Sequence, residues 1–299
     1  MSPDLEKRVI EDLEKTGFPS EFKVRNVLSA AKWMCSGISG FFDLDEQKQR
    51  QLDVVAWKDC RDFVSKKEQI EAVWSLIIEV KKSEQGKPWV VFKEKNFSTE
   101  IFGSEHSLAN LELVAYCNLP AAWDGEFSGR IGKFSYCHDM RWLGCAIHES
   151  FKQPSESSRP YNAMVSVAKA AEHWHMEAID RVKSQKPITS DITKHPTRVT
   201  LTRPLIVLDG ELLTAELNES GELVVNEVDI APMFLSYKSP QYRREGYRLD
   251  VVRLTAFNKY LEFIEKQHNT LSKSIFDLGG VRGCSVIERL HLGAQPTKR

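Results

Sequence analysis

Apolar positions fall into two rhythms along this chain. Leu5, Val9, Ile10 and Leu13 recur at three- and four-residue intervals among Glu and Lys, which predicts an amphipathic helix over 3–16 stopped by Gly17. Phe18-Pro19-Ser20-Glu21 restarts a helix whose apolar face is Phe22, Val24, Val27, Leu28 and Ala31. The rhythm then changes to that of extended chain. Strands are predicted over 33–42, 50–58 and 72–82, separated by polar segments at 43–49 and 59–69, and Pro88 to Phe92 continues in extended form. Between 96 and 159, five glycines with Pro120 and Pro154 interrupt every long period, which predicts short helices and loops. Tyr161 to Lys183 has the clearest helical register, carried by Met164, Val165, Ala168, Ala171, Trp174, Ala178, Ile179 and Val182. Leu205-Ile206-Val207-Leu208 reads as a fully buried strand. Residues 212–217 and 223–228 read as a hairpin, 233–238 as a strand and 251–268 as a closing helix.

One run combines core and chemistry. In Leu76-Ile77-Ile78-Glu79-Val80-Lys81-Lys82, strand alternation places Glu79 and Lys81 on one face and Ile78 and Val80 on the other. The preceding strand carries Asp53, so two neighbouring strands would bring Asp53 and Glu79 to a common point, the outline of a metal site. The plainer alternative for an exposed Glu-x-Lys is a solvated ion pair worth at most ~1 kcal/mol. Glu21, in the first turn of its helix, has a sufficient structural role in complementing the helix dipole by about 0.3–1 kcal/mol.

Composition narrows the partners. A hydrophobic fraction of 41% over 299 residues supports a real core. With 41 Lys+Arg against 42 Asp+Glu, no strongly basic domain announces nucleic acid, so a polyanion would need a local patch. The six cysteines form no CxxC pair and are expected to be mostly buried thiols. No run approaches the ~18 apolar residues of a membrane span, and no signal core is present. These features predict a soluble, cytoplasmic protein with no membrane partner.

The order helix, strand, strand with Asp, strand with Glu-x-Lys, helix, strand resembles the PD-(D/E)XK nuclease superfamily, also called restriction-endonuclease-like. The resemblance rests on Phe18-Pro19-Ser20-Glu21-Phe22-Lys23-Val24, Gln51-Leu52-Asp53-Val54-Val55-Ala56, Ile78-Glu79-Val80-Lys81-Lys82-Ser83 and Lys87-Pro88-Trp89. It implies an α/β fold with a restriction-endonuclease-like core: a mixed central sheet flanked by helices, with inserted and C-terminal decorations. The core would span 1–210 with an irregular insertion at about 97–158. Residues 211–299 would add C-terminal strands and a helix packed on it. The resemblance further implies that Asp53 and Glu79, with the Val80 carbonyl, bind Mg2+ or Mn2+, that Lys81 assists the attacking water, and that Glu21 is the acid of the first core helix. Where this superfamily branch tends to carry an acid, the chain has Gln51, on the face of Asp53.

Independently of the resemblance, two acids and a carbonyl suit a hard cation that keeps several waters. Such a cation would push Lys81 toward its neutral form by like charge. Lys82, Lys87, Lys93 and Lys95 are expected to flank the site and contact phosphate. Arg243, Arg244, Arg248 and Arg253, with Tyr242 and Tyr247 among them, could grip a backbone and stack on bases, or form a solvated face. His173 and His175 point to different faces of their helix and make a poor metal pair. Cys137, His138, Cys145 and His148 lack the paired spacings of a zinc site. Two functions follow: a metal-dependent nuclease, acting on DNA rather than RNA in bacterial defence or DNA processing, or an inactive nuclease-fold protein that binds nucleic acid or scaffolds. A homodimer would suit two-strand cleavage.

Overall fold

The computed structural model describes residues 2–65, 68–84, 86–94, 114–115, 142–152, 158–184, 197–242 and 246–266. Four α-helices appear among them: α1 (Pro3–Leu13), α2 (Phe18–Ala30), α3 (Arg159–Ser184) and α4 (257–266). The strands are β1 (Met34–Asp43), β2 (Lys48–Ser65), β3 (Glu68–Lys82), β4 (Trp89–Glu94), β5 (Val114–Ala115) and β6 (Leu143–Glu149), followed by β7 (Thr197–Asp209), β8 (Leu212–Leu217), β9 (Leu223–Glu227), β10 (Ile230–Ser236) and β11 (Gly246–Arg253). All belong to one mixed sheet of order β1-β2-β3-β7-β11-β10-β6-β4-β8-β9, with β5 paired to β7.

Strand alternation builds the two cores. Val54, Ala56, Leu76, Ile78, Val80, Leu205, Val207 and Val252 face one way, onto Val24 and Leu28 of α2 and Phe257, Tyr260, Leu261 and Ile264 of α4. Val55, Ile77, Ile206, Leu208 and Val251 face the other way, onto Ala163, Met164, Val167, Ala168 and Ala171 of α3. The run of alanines lets this helix lie close against the sheet. In α2 the buried positions are Ser20, Val24 and Leu28, spaced by four. Phe22 falls on the other side of that helix and is exposed, contrary to its predicted place on the apolar face. No residue of α1 is buried.

The meander β1-β2-β3 is antiparallel, and β7 joins β3 in parallel from Ile70 opposite Thr197 to Lys82 opposite Asp209. Strands beyond residue 210 enter the same sheet, β11 beside β7 and β8 beside β4. Three readings are corrected. The polar stretch 59–69 contains the ends of two long strands, because pairing on both sides of β3 carries the backbone whatever its side chains. The segment around 144, expected to be helical or irregular, contains β6. Gly144 is a close approach rather than a breaker there, since a Cβ would collide with Met233 and Val91. Val251 to Arg253 end β11 in parallel register with Ile206 to Leu208, and the helix begins only after the 3-10 turn Leu254–Ala256. Cys145 is exposed and Cys35 partly buried, so the expectation of buried thiols fails at Cys145.

Among the described residues, no helix is long and apolar enough to cross a membrane.

Candidate functional site

β3 ends in Glu79-Val80-Lys81-Lys82, between β2 and β7. Its pairing with β7 continues to Lys82, whereas the β2–β3 ladder runs only to Val54 opposite Ile78. Beyond that point the Asp53 side chain replaces the next main-chain acceptor on β2, and its Oδ2 accepts the Val80 N–H at 2.7 Å. The two strands therefore part at a notch that begins with Asp53 and Glu79.

One ammonium joins the two acids across the notch. Lys81 Nζ lies 2.5 Å from Glu79 Oε1 and 3.8 Å from Asp53 Oδ2. From α3, Ser166 Oγ donates to the other oxygen, Glu79 Oε2, at 3.5 Å. From α2, Arg25 Nη2 donates to the main-chain oxygen of Asp53 at 3.1 Å and stands 3.6 Å from Glu21 Oε2. Glu21, Asp53, Glu79 and Lys81 thus come together, as their order on successive elements predicts.

The electrostatics are those of crowded carboxylates. Burial pushes the Glu79 carboxyl above its ordinary value; the Asp53 charge adds to this, and Lys81 and Ser166 only partly offset it. Glu21 is raised in the same way, by burial first and Asp53 second, with Arg25 and Lys81 opposing. Burial works against a charged Lys81, but the Glu79 and Asp53 carboxylates more than compensate and its pKa is raised. The two carboxylates therefore favour the charged form of this lysine, opposite in direction to the effect expected of a neighbouring metal ion.

The rim is closed by ion pairs. Arg159, at the start of α3, donates to the Lys82 main-chain oxygen at 2.9 Å and pairs with Glu84 at 3.2 Å and Glu149 at 3.3 Å. Lys87 pairs with Glu84, and Lys82 Nζ donates to the Glu14 carbonyl at the end of α1. Ser20 donates to Asp209 Oδ2 at 2.5 Å, which ties α2 to the end of β7.

Other residues singled out in the sequence lie elsewhere. Gln51 is exposed, opposite Gly40 of β1. Lys93 is on β4, five strand positions from β3, pinned 3.5 Å from Glu216 and over the Trp142 ring. Tyr242 and Tyr247 are buried and do not present rings for stacking on bases. Arg253 pairs with Glu227 and lies 3.9 Å from Asp229. Arg243, Arg244, Lys95, Cys137 and His138 lie outside the described residues. His173 is half-buried against Phe41 and Trp174, and burial lowers its pKa. Among the described residues, no group of three or more His, Cys, Asp or Glu is gathered for a metal ion.

Sequence reasoning missed Arg25, Ser166 and Arg159. The spacing Glu21-x-x-x-Arg25, an i,i+4 pair pointing at the same strand end, was the available signal for the first. It also missed a second lysine cluster. Lys169 of α3 is buried, with Nζ 3.0 and 3.1 Å from the two Asp43 oxygens and 2.9 Å from Asp45 Oδ2.

No protein-family model matches the chain, and neither a curated protein nor a solved structure matches it.

Proposed function

We propose that the chain is a divalent-metal-dependent nuclease hydrolysing phosphodiester bonds, in DNA rather than RNA, with Asp53, Glu79 and Lys81 at its centre. The observation that carries this is the convergence of Asp53 and Glu79 on one ammonium at the parting of β2 and β3. The order α2, β1, β2, β3, then α3 and β7 after the intervening strands β4 to β6, with helices on both faces of the sheet, supports a restriction-endonuclease-like core.

The donor set fits a hard cation. Asp53, Glu79 and the Val80 carbonyl are all oxygen donors, and the carboxylates already stabilise a positive charge between them. Mg2+ or Mn2+ held there would neutralise charge on the phosphate and acidify a bound water. Attack of that water would form the O–P bond as the P–O bond to the leaving sugar oxygen breaks, the proton that the water loses being returned through solvent to the leaving oxygen. Asp53 and Glu79 supply the anchoring charge. Lys81, whose Nζ lies 2.5 Å from Glu79 Oε1 and 3.8 Å from Asp53 Oδ2, would orient the attacking water beside them. Lys82 and Lys87 at the rim are the phosphate contacts nearest the site.

Incubation with plasmid, linear and single-stranded DNA and with RNA, in Mg2+, Mn2+ or EDTA, tests the reading. The parent should cut DNA in metal only, and Asp53→Ala and Lys81→Ala should each reduce the rate at least about 100-fold. Variants that cut as well as the parent would remove these residues from the chemistry. A second reading is a nuclease-derived binding or scaffolding module, favoured by the exposed Gln51 in place of an acid and by the ion pairs that already satisfy Glu79. Salt-dependent binding of nucleic acid with no cleavage in any metal would select it.

A further inference from the structure

Arg25 stands where three elements meet. It rises from α2 one turn after Glu21, crosses β1 at Gly37 and reaches the β2 main chain at Asp53. A Cβ on Gly37 would lie 2.7 Å from Arg25 Nη1 and 3.0 Å from its Cζ. Gly37 is not among the positive-φ glycines, so its backbone would accept any residue. The missing side chain makes room for the guanidinium, not for a turn. The Phe22 ring packs against the same group, its centroid 5.7 Å from Cζ.

This placement differs from that of a surface arginine. Only 23% of the Arg25 side chain is exposed, and its Nε has no hydrogen-bond partner among the described residues. A guanidinium seeking its own best bonds would leave less unmet. What the position achieves instead is registration: one Nη2 fixes both the Asp53 carbonyl and the Glu21 carboxylate. Asp53 is the residue at which the β2–β3 ladder has stopped, so its main chain is aligned from the β1 side, where Leu52 and Val54 pair with Ser39 and Gly37, and Arg25 adds its donor on that side at Gly37. A shift of about 1 Å at such a point is enough to cost on the order of 100-fold in a reaction that depends on alignment.

We infer that Arg25 is a positioning residue of the Asp53–Glu79 site, its guanidinium lying across Gly37 to hold the Asp53 main chain and Glu21 in the geometry that takes a divalent cation. The inference rests on the nuclease reading above. It assigns Gly37 a role through Arg25 alone, which makes the two positions one functional unit.

Mn2+ binding to the full chain, followed by electron paramagnetic resonance without nucleic acid, reads the effect directly, and cleavage across a Mg2+ titration reads it in turnover. Arg25→Gln and Gly37→Ala should each weaken Mn2+ binding about tenfold and raise the Mg2+ needed for half-maximal cleavage, with KM for DNA unchanged. The double variant should be no worse than either single one. Arg25→Lys, which keeps one donor and the charge, should recover part of the loss. Gly37→Ala retains the arginine, so it reports even if Arg25→Gln does not fold. Parent-like Mn2+ binding in both variants, or additive losses, would overturn the assignment. A rise in KM for DNA at saturating metal would make Arg25 a phosphate contact instead. A parent that binds no Mn2+, or Asp53→Ala binding it as tightly, would overturn the nuclease reading itself.

Discussion

Lys81 and Lys169 each place one ammonium between two carboxylates, and the two sites differ in what closes them. Around Lys169 every acceptor is spoken for. Asp43 also takes Arg50 Nε at 2.9 Å, the Asp45 and Glu46 N–H groups at 3.0 and 3.2 Å, and the Tyr242 hydroxyl at 3.3 Å. Asp45 is held by the Tyr237 and Ser239 hydroxyls, and the Tyr237 and Tyr242 rings cover the amine at 5.3 and 5.6 Å. The Lys169 side chain is 5% exposed against 28% for Lys81. The first arrangement ties the β1–β2 turn to α3 and to residues 237–242, and has no bond left to exchange. The second lies at a strand end, with the Asp53 side chain 23% exposed. Similar charges make a sealed clamp around Lys169 and a more exposed cluster around Lys81.

The widest separation should come from deleting each amine. Lys169→Met leaves the buried Asp43 carboxylate facing the partly exposed Asp45 with no cation between them, and should cost about 3 kcal/mol in urea unfolding, with no recovery in Mg2+. Lys81→Met should cost only about 1–2 kcal/mol in EDTA, and Mg2+ should restore it if the open site takes the ion. Equal losses, both insensitive to metal, would dissolve the distinction.

Acid should separate the two sites next. Burial raises Asp43, but Lys169 and the turn N–H groups overcome it and its pKa is lowered; Asp45 is lowered for like reasons. Their stabilisation is therefore present above the ordinary carboxylate value and lost as pH falls below about 4. Glu79 is raised, so its contribution has the opposite sign, a penalty that grows as pH rises past its ordinary value. Urea midpoints from pH 6 to 3 should fall steeply in the parent and less steeply in the Asp43→Asn, Asp45→Asn double variant. The smallest change is Tyr242→Phe. It removes a hydroxyl that accepts the Leu44 N–H at 3.0 Å and is pushed up to about 12, mainly by burial. A loss of about 1 kcal/mol is expected, with cleavage unchanged.

Much of this contrast could be seen in the sequence on one side only. Glu79 and Lys81 are two residues apart on a strand whose alternation fixes their shared face, and Asp53 lies on the strand folded back beside it. Local periodicity carries that information. Lys169 looked like an ordinary charged residue of a long helix, and Asp43 and Asp45 like a polar turn. Their pairing spans 126 residues of chain and depends on how far α3 slides along the sheet, which no local pattern encodes. The missed strands have a similar cause. Gly144 and Arg248 weaken the alternation of β6 and β11, and it is the partners Met233, Val91 and β7 that make those segments strands. Arg25 is marked in the sequence only by its i,i+4 spacing from Glu21, because its other target is a main-chain oxygen, which has no residue-type signature.

The parallel pairing of β3 with β7 also bears on how the protein is made. The chain between them must be synthesised before Lys82 can meet Asp209, and Ser166 lies in that interval. At about 5–20 residues per second, the β1-β2-β3 meander waits on the order of ten seconds with one edge of β3 unpaired. During translation, the apolar run Leu76 to Val80 therefore keeps an unpaired strand edge until the late arrival of α3 and β7 covers it and completes the surroundings of Glu79.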